Sequence, residues 1–234
     1  MPRTRVRRIQ AGFSLIELLI TMIVLVIVMG AVFSQINQVQ SKTKSESMKL
    51  DLTQESREFI DQFARDLHMS GYPISKLYQN SGGINDSHVA VGLVAASPTS
   101  LRFEGDVYGD GTVYSVVYNY VQTDAADPNC PCLRRSVVAK VTGNPVNGQD
   151  PVKYYTEVQN VIDPAGQAQG LFTYFQADGT AVDVGTGKDI IADAITIQLI
   201  DAVKVNLNTR SKQFDPQTGQ PAIVSVATIA ELEN

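Results

Sequence analysis

Tryptophan is absent from this 234-residue chain, and it holds only two cysteines and two histidines. Two cysteines exclude a disulfide-dense scaffold. Cys130 and Cys132, with one proline between them, are too few for a zinc site, which takes four ligands. They are expected to have a structural role, either as free thiols or as a small local disulfide; bonds to other chains are the alternative. His68 falls near the end of a long helical stretch, where the helix dipole favours a cation. His88 follows a loop rich in Asn, Ser and Gly. Nothing in the spacing sets either histidine beside a serine or cysteine nucleophile with an orienting acid. The expectation is therefore that the chain is not an enzyme, with no metal and no cofactor.

Other absences are positional. Residues 1–12 contain no acid but carry Arg3, Arg5, Arg7 and Arg8. Leu18 to Phe33 contains no charge, and Ala31 to Ser70 contains neither glycine nor proline. Around Val28-Met29-Gly30-Ala31-Val32-Phe33 there is no small-x-small cleavage site of the kind that ends a removable secretory signal. At 1.5 Å per helical residue, the stretch from Phe13 to Phe33 is long enough to cross roughly 30 Å of hydrocarbon. Arginines before it and none just after predict a cytoplasmic N-terminus and an exported body.

One acid interrupts this pattern. Glu17 stands five residues past Gly12, at the start of the apolar run. A charge at mid-bilayer costs about 2.5–3.5 kcal/mol on insertion scales, so such an acid needs a partner.

The run Gly12-Phe13-Ser14-Leu15-Ile16-Glu17-Leu18-Leu19 resembles the class III signal of type IV pilins and pseudopilins. The resemblance implies cleavage by a prepilin peptidase between Gly12 and Phe13 and N-methylation of Phe13. The apolar helix is then kept as the assembly element. Cleavage would expose an α-amino group, whose ordinary pKa is near 7.7–8.0, and methylation would keep its charge. Glu17 is then expected to meet the Phe13 amine of a neighbouring subunit. Desolvation offsets most of that attraction; the pair's role is register, since a misplaced subunit leaves a charge unpaired. The bland alternative is a Glu17 that reaches the headgroups alone.

Losing residues 1–12 would move the formal charge from −5 to −9, which argues against nucleic-acid backbone binding. Beyond the anchor, Phe59-Ile60-Phe63-Leu67 predicts a helical stripe pressed onto a body. Gln40 to Lys49 is polar and is expected to project or fray. Gly30 is expected to allow local melting or close helix contact. The helix is expected to stop at Gly71-Tyr72-Pro73.

From there the pattern predicts strands near 89–94, 99–104, 113–121, 133–141, 152–162, 171–176, 194–205 and 222–230. Turns fall at Ser81-Gly82-Gly83, Gly109-Asp110-Gly111, Gly143-Asn144-Pro145 and Asp178-Gly179. Ile195, Ile197 and Leu199 alternate with Thr196 and Gln198, as in a half-buried strand. The fold class is therefore α+β: a long N-terminal helix packed on antiparallel sheet. The expected organisation is a leader at 1–12, the helix at 13–70 (13–33 transmembrane, 34–70 amphipathic) and an exported β-rich body at 71–234.

Weaker stretches of the body are similar to PilW-type minor pilins and J-type secretion pseudopilins. They are residues 63–72, 101–106 with 109–111 and 116–118, 132–135 and 172–179. Asp106 with Asp110-Gly111 invites a calcium-loop reading, but Tyr108 fills the middle ligand position and no glutamate follows at the required distance. A tight turn is expected there. Tyr114, Tyr118 and Tyr120 are expected to pack in the core rather than to offer a stacking platform.

The functional expectation is a minor pilin at the tip or start of a filament. Its partners would be other pilin-type subunits, the prepilin peptidase and methyltransferase, and the inner membrane. The alternatives are a type II secretion pseudopilin and a tethered adhesin or DNA-uptake subunit.

Overall fold

The computed structural model describes residues 14–73, 83–125, 127–128, 130–149, 151, 153–163 and 170–232. Helix α1 runs unbroken from Leu15 to His68, roughly 80 Å at 1.5 Å per residue. It remains helical through Gly30, where an added Cβ would meet nothing within 4 Å. The polar stretch at 40–49 is also helical, and it neither frays nor projects freely, since Ser45 within it is buried.

The two ends of α1 have different surroundings. Leu15 to Gln40 is wholly exposed, and the first buried side chain is Ser45. Leu52, Ser56, Phe59, Phe63, Asp66 and Leu67 then turn inward at three- and four-residue intervals. Small side chains at Ser45 and Ser56 let the helix approach closely, and Ser56 returns its hydroxyl proton to Leu52 O at 2.8 Å.

The end of α1 is set by contact with the sheet. Ser70 bridges to Gly105, and a Cβ at Gly105 would come within 2.0 Å of Met69 O. Only glycine fits there. Gly71 follows with φ +84°, a conformation open to residues without a Cβ.

The body consists of two antiparallel sheets. The first contains β1 (Gly92–Ala96), β2 (Ser100–Gly105), β3 (Tyr114–Val121), β4 (Cys132–Ala139), β5 (Tyr155–Gln159) and β8 (Lys188–Asp189) in the order β5-β4-β3-β2-β1-β8. The second contains β6 (Phe172–Phe175), β7 (Ala181–Val182), β9 (Ala202–Phe214) and β10 (Pro221–Glu231) in the order β10-β9-β6-β7. Thus the α+β architecture is observed, with the C-terminal half of α1 packed against β10, β9 and β5. One core joins the layers. Phe63 meets Tyr118 of β3 edge-on with ring centroids 5.4 Å apart, and Phe172 of β6 at 5.9 Å.

One expected strand differs. Residues 194–205 do not form a single strand: Ala194–Gln198 is a short helix, α2, and β9 begins at Ala202 and continues to Phe214. Ile197 and Ile200 point inward while Ile195 and Leu199 are exposed, which is grouping by three and four rather than by two. A five-residue apolar run is too short for its period to decide. Asp189 secures this turn by accepting from the N–H groups of Ile191 and Ala192. Ser81, Gly82 and residue 152 of the expected turns and strands lie outside the described residues.

Candidate functional site

Two regions concentrate charge and apolar surface in ways the fold alone does not require. The first is the start of α1. Ser14 caps the helix through its backbone carbonyl, which accepts from Glu17 N at 3.0 Å and Leu18 N at 3.2 Å. Glu17 is the acid of the first turn, where the helix dipole favours a negative charge. From Leu15 to Phe33 the large apolar side chains are 48–84% exposed on every face of the helix. An 18-residue window within α1 reaches a mean hydropathy of 2.8. Apolar surface of that extent has to be covered by lipid or by other helices. The one hydroxyl in its midst, Thr21, is satisfied within the helix by donating to Leu18 O at 2.8 Å. Gly12 and Phe13 lie outside the described residues.

The second region is the junction of α1 with the first sheet. Asp66 is 1% exposed. Its Oδ2 accepts from Tyr118 Oη at 2.7 Å and from Arg135 Nε at 2.7 Å. Tyr118 and Arg135 are themselves opposite one another in the β3–β4 register. Burial pushes the Tyr118 hydroxyl well above its usual range, so it stays a donor. Burial likewise raises the Glu157 carboxyl and the Asp66 charge adds to this, while Arg135 opposes it. The group ties a helix to a sheet; among the described residues it has no nucleophile or cleft of its own.

A second buried pair lies on the other side of β2. Lys140 Nζ donates to Glu104 Oε2 at 2.7 Å and to the carbonyls of Ile84 and Val89 at 2.9 and 2.8 Å. Both side chains are fully buried. Burial raises the Glu104 carboxyl against the opposing pull of Lys140. The pair anchors the loop ahead of β1 to the sheet. Sequence reasoning found neither pair, because the partners lie 36 to 69 residues apart.

The remaining expected residues fall as follows. Asp106 accepts from Asp110 N at 3.1 Å and Gly111 N at 2.8 Å, and Asp110 from Thr112 N. These bonds build a tight turn between β2 and β3 and use the oxygens a calcium ion would need. Tyr118 is a core residue, and Tyr114 packs edge-on against Tyr108 while donating to Asp110. His88 pairs with Asp86 at 3.0 Å, and His68 lies in the last turn of α1. Cys130 and Cys132 form a disulfide across Pro131. Ligand atoms of Asp127, Cys130 and Cys132 lie within 4.8 Å of one another, but the sulfurs are bonded to each other and so are not metal ligands.

The comparison with protein families matches residues 7–33 to the prokaryotic N-terminal methylation motif. The chain carries a class III prepilin signal. This is the N-terminal signature of type IV pilins and pseudopilins, which are structural subunits rather than enzymes. It implies processing by prepilin peptidase and assembly with pilin subunits. The long exposed apolar helix behind the signal is consistent with single-pass membrane anchoring. No curated protein and no solved structure matches the chain.

Proposed function

We propose that the chain is a minor pilin of a type IV pilus, PilW-like, acting at the filament tip or at the start of assembly. The observation that carries this reading is the prepilin signal at residues 7–33 on a helix whose first 26 described residues after Ser14 are all exposed.

The proposed sequence begins with insertion as a membrane-anchored precursor, cytoplasmic at its N-terminus. Cleavage after Gly12 exposes the Phe13 amine, which is methylated. The helix then leaves the bilayer for a bundle of like helices. Glu17 meets the Phe13 amine of an adjacent subunit and sets the register, because an unpaired charge in the bundle costs several kcal/mol. The large size of the two-sheet body supports a minor role over that of a main shaft subunit. The body is proposed to face the periplasm.

Crosslinking the tagged chain in its own membrane and identifying the attached proteins tests the reading. Minor pilins among them support it. Secretion-system components place the chain as a J-like pseudopilin instead. An absence of any pilin-type protein overturns both.

A further inference from the structure

We propose that Cys130–Cys132 is a reactive thiol–disulfide exchange site, with Cys130 as the sulfur that takes the thiol of another molecule. The bond closes across a single residue. Crosslinks stabilise a fold mainly by restricting the unfolded chain, and that effect grows with the length of the loop closed. This ring is about the smallest a chain can form, so it adds little as a staple. Its chemistry is left as its use.

The two sulfurs stand in different surroundings. Cys132 is fully buried and opens β4, paired in register with Val121 on one side and Gln159 on the other. Cys130 precedes the strand and is partly exposed. Arg134 Nη2 lies 3.6 Å from Cys130 Sγ while Arg134 also binds Asp124 at 2.6 Å and Asp127 at 3.2 Å. A hydrogen-bond donor is therefore held against the sulfur of the less buried of the two cysteines. The chain has no third cysteine, so any mixed disulfide must be formed with another molecule.

The exchange is balanced. An incoming thiolate attacks Cys130 Sγ, a new S–S bond forms, and the Sγ–Sγ bond breaks with its electron pair on Cys132, which takes a proton from water. Cys132 can then return to Cys130 and expel the incoming thiol. Alternatively, a second external thiolate attacks the incoming sulfur, leaving two thiols on the chain and an external disulfide. The partner chemistry is a thiol, carried either by glutathione-like small molecules or by a cysteine of another exported protein. None of this depends on which filament system uses the chain.

The test uses the full chain in detergent. In a glutathione buffer poised like an oxidising compartment the disulfide should half-open, as read by acid quench, alkylation and mass spectrometry; structural disulfides stay closed there. The reduced chain should melt within about 5 °C of the oxidised one. Cys132→Ala, and Cys132→Ser in case the first fails to fold, should trap glutathione on Cys130 in vitro. In cells the trapped adduct distinguishes a small thiol from a protein cysteine. A bond that stays closed in that buffer, or a melting loss well beyond that margin on reduction, would overturn the proposal. So would a folded Cys132 variant that takes up no thiol.

Discussion

Tyr118 donates its hydroxyl to Asp66 Oδ2 across 2.7 Å, linking the middle of a central strand to the last turns of the long helix. The same oxygen takes Arg135 Nε. Asp66 thus satisfies two groups of the sheet although it belongs to the helix. A rod that extends tens of ångströms beyond its body acts as a long lever at this junction.

Asp66→Ala should destabilise the body by roughly 3–5 kcal/mol, because the mostly buried Arg135 loses the carboxylate it pairs with. Tyr118→Phe removes only one neutral donor to a charged acceptor and should cost about 1.5–3 kcal/mol. Urea titration followed by circular dichroism measures both. Equal losses from the two would show that the ionic contact adds nothing beyond the hydroxyl bond.

Glu104→Gln should cost a similar amount, on the order of 3–5 kcal/mol, since the fully buried Lys140 loses its counter-charge. Replacing both partners by apolar residues of matching size, Glu104→Leu with Lys140→Met, should recover much of that loss. Failure of the double variant to recover would mean that the carbonyls of Ile84 and Val89, which Lys140 also serves, depend on its donor protons.

Glu157 makes the pH dependence specific. Burial first, then repulsion from Asp66, hold its folded-state pKa above the ordinary value of 4.5. The folded chain therefore binds this proton more tightly than the unfolded chain does. Its contribution is most favourable below pH 4.5 and falls as pH rises through the folded-state value. Glu157→Gln should remove that fall, so the variant gains on the parent as pH rises across this window. Parallel stability curves for the two chains between pH 4 and 7 would contradict the assignment.

The proposed processing and assembly roles separate at Gly12 and Glu17. Gly12→Glu should leave the full-length precursor in the membrane, detected by mass spectrometry of the N-terminus. Glu17→Val should be cleaved and methylated normally yet absent from purified filaments. Normal incorporation of that variant would remove the register role.

The assembly element is visible in one dimension because all its information is local. Arg3 to Arg8, Gly12, Glu17 and the uncharged run to Phe33 are consecutive, and lipid or a bundle reads them without any help from the rest of the chain. The stripe Phe59-Phe63-Leu67 was legible for a related reason, since its helical spacing repeats often enough to be counted, and most strands were marked as runs between turn clusters. At Ala194–Gln198 five residues held too few repeats, and the turn built by Asp189 decided for a helix. The buried ion pairs are different in kind. Asp66 with Arg135, and Glu104 with Lys140, are ordinary surface residues by type. Only folding removes them from water, and once dry each charge must find the one partner that the sheet register brings within reach.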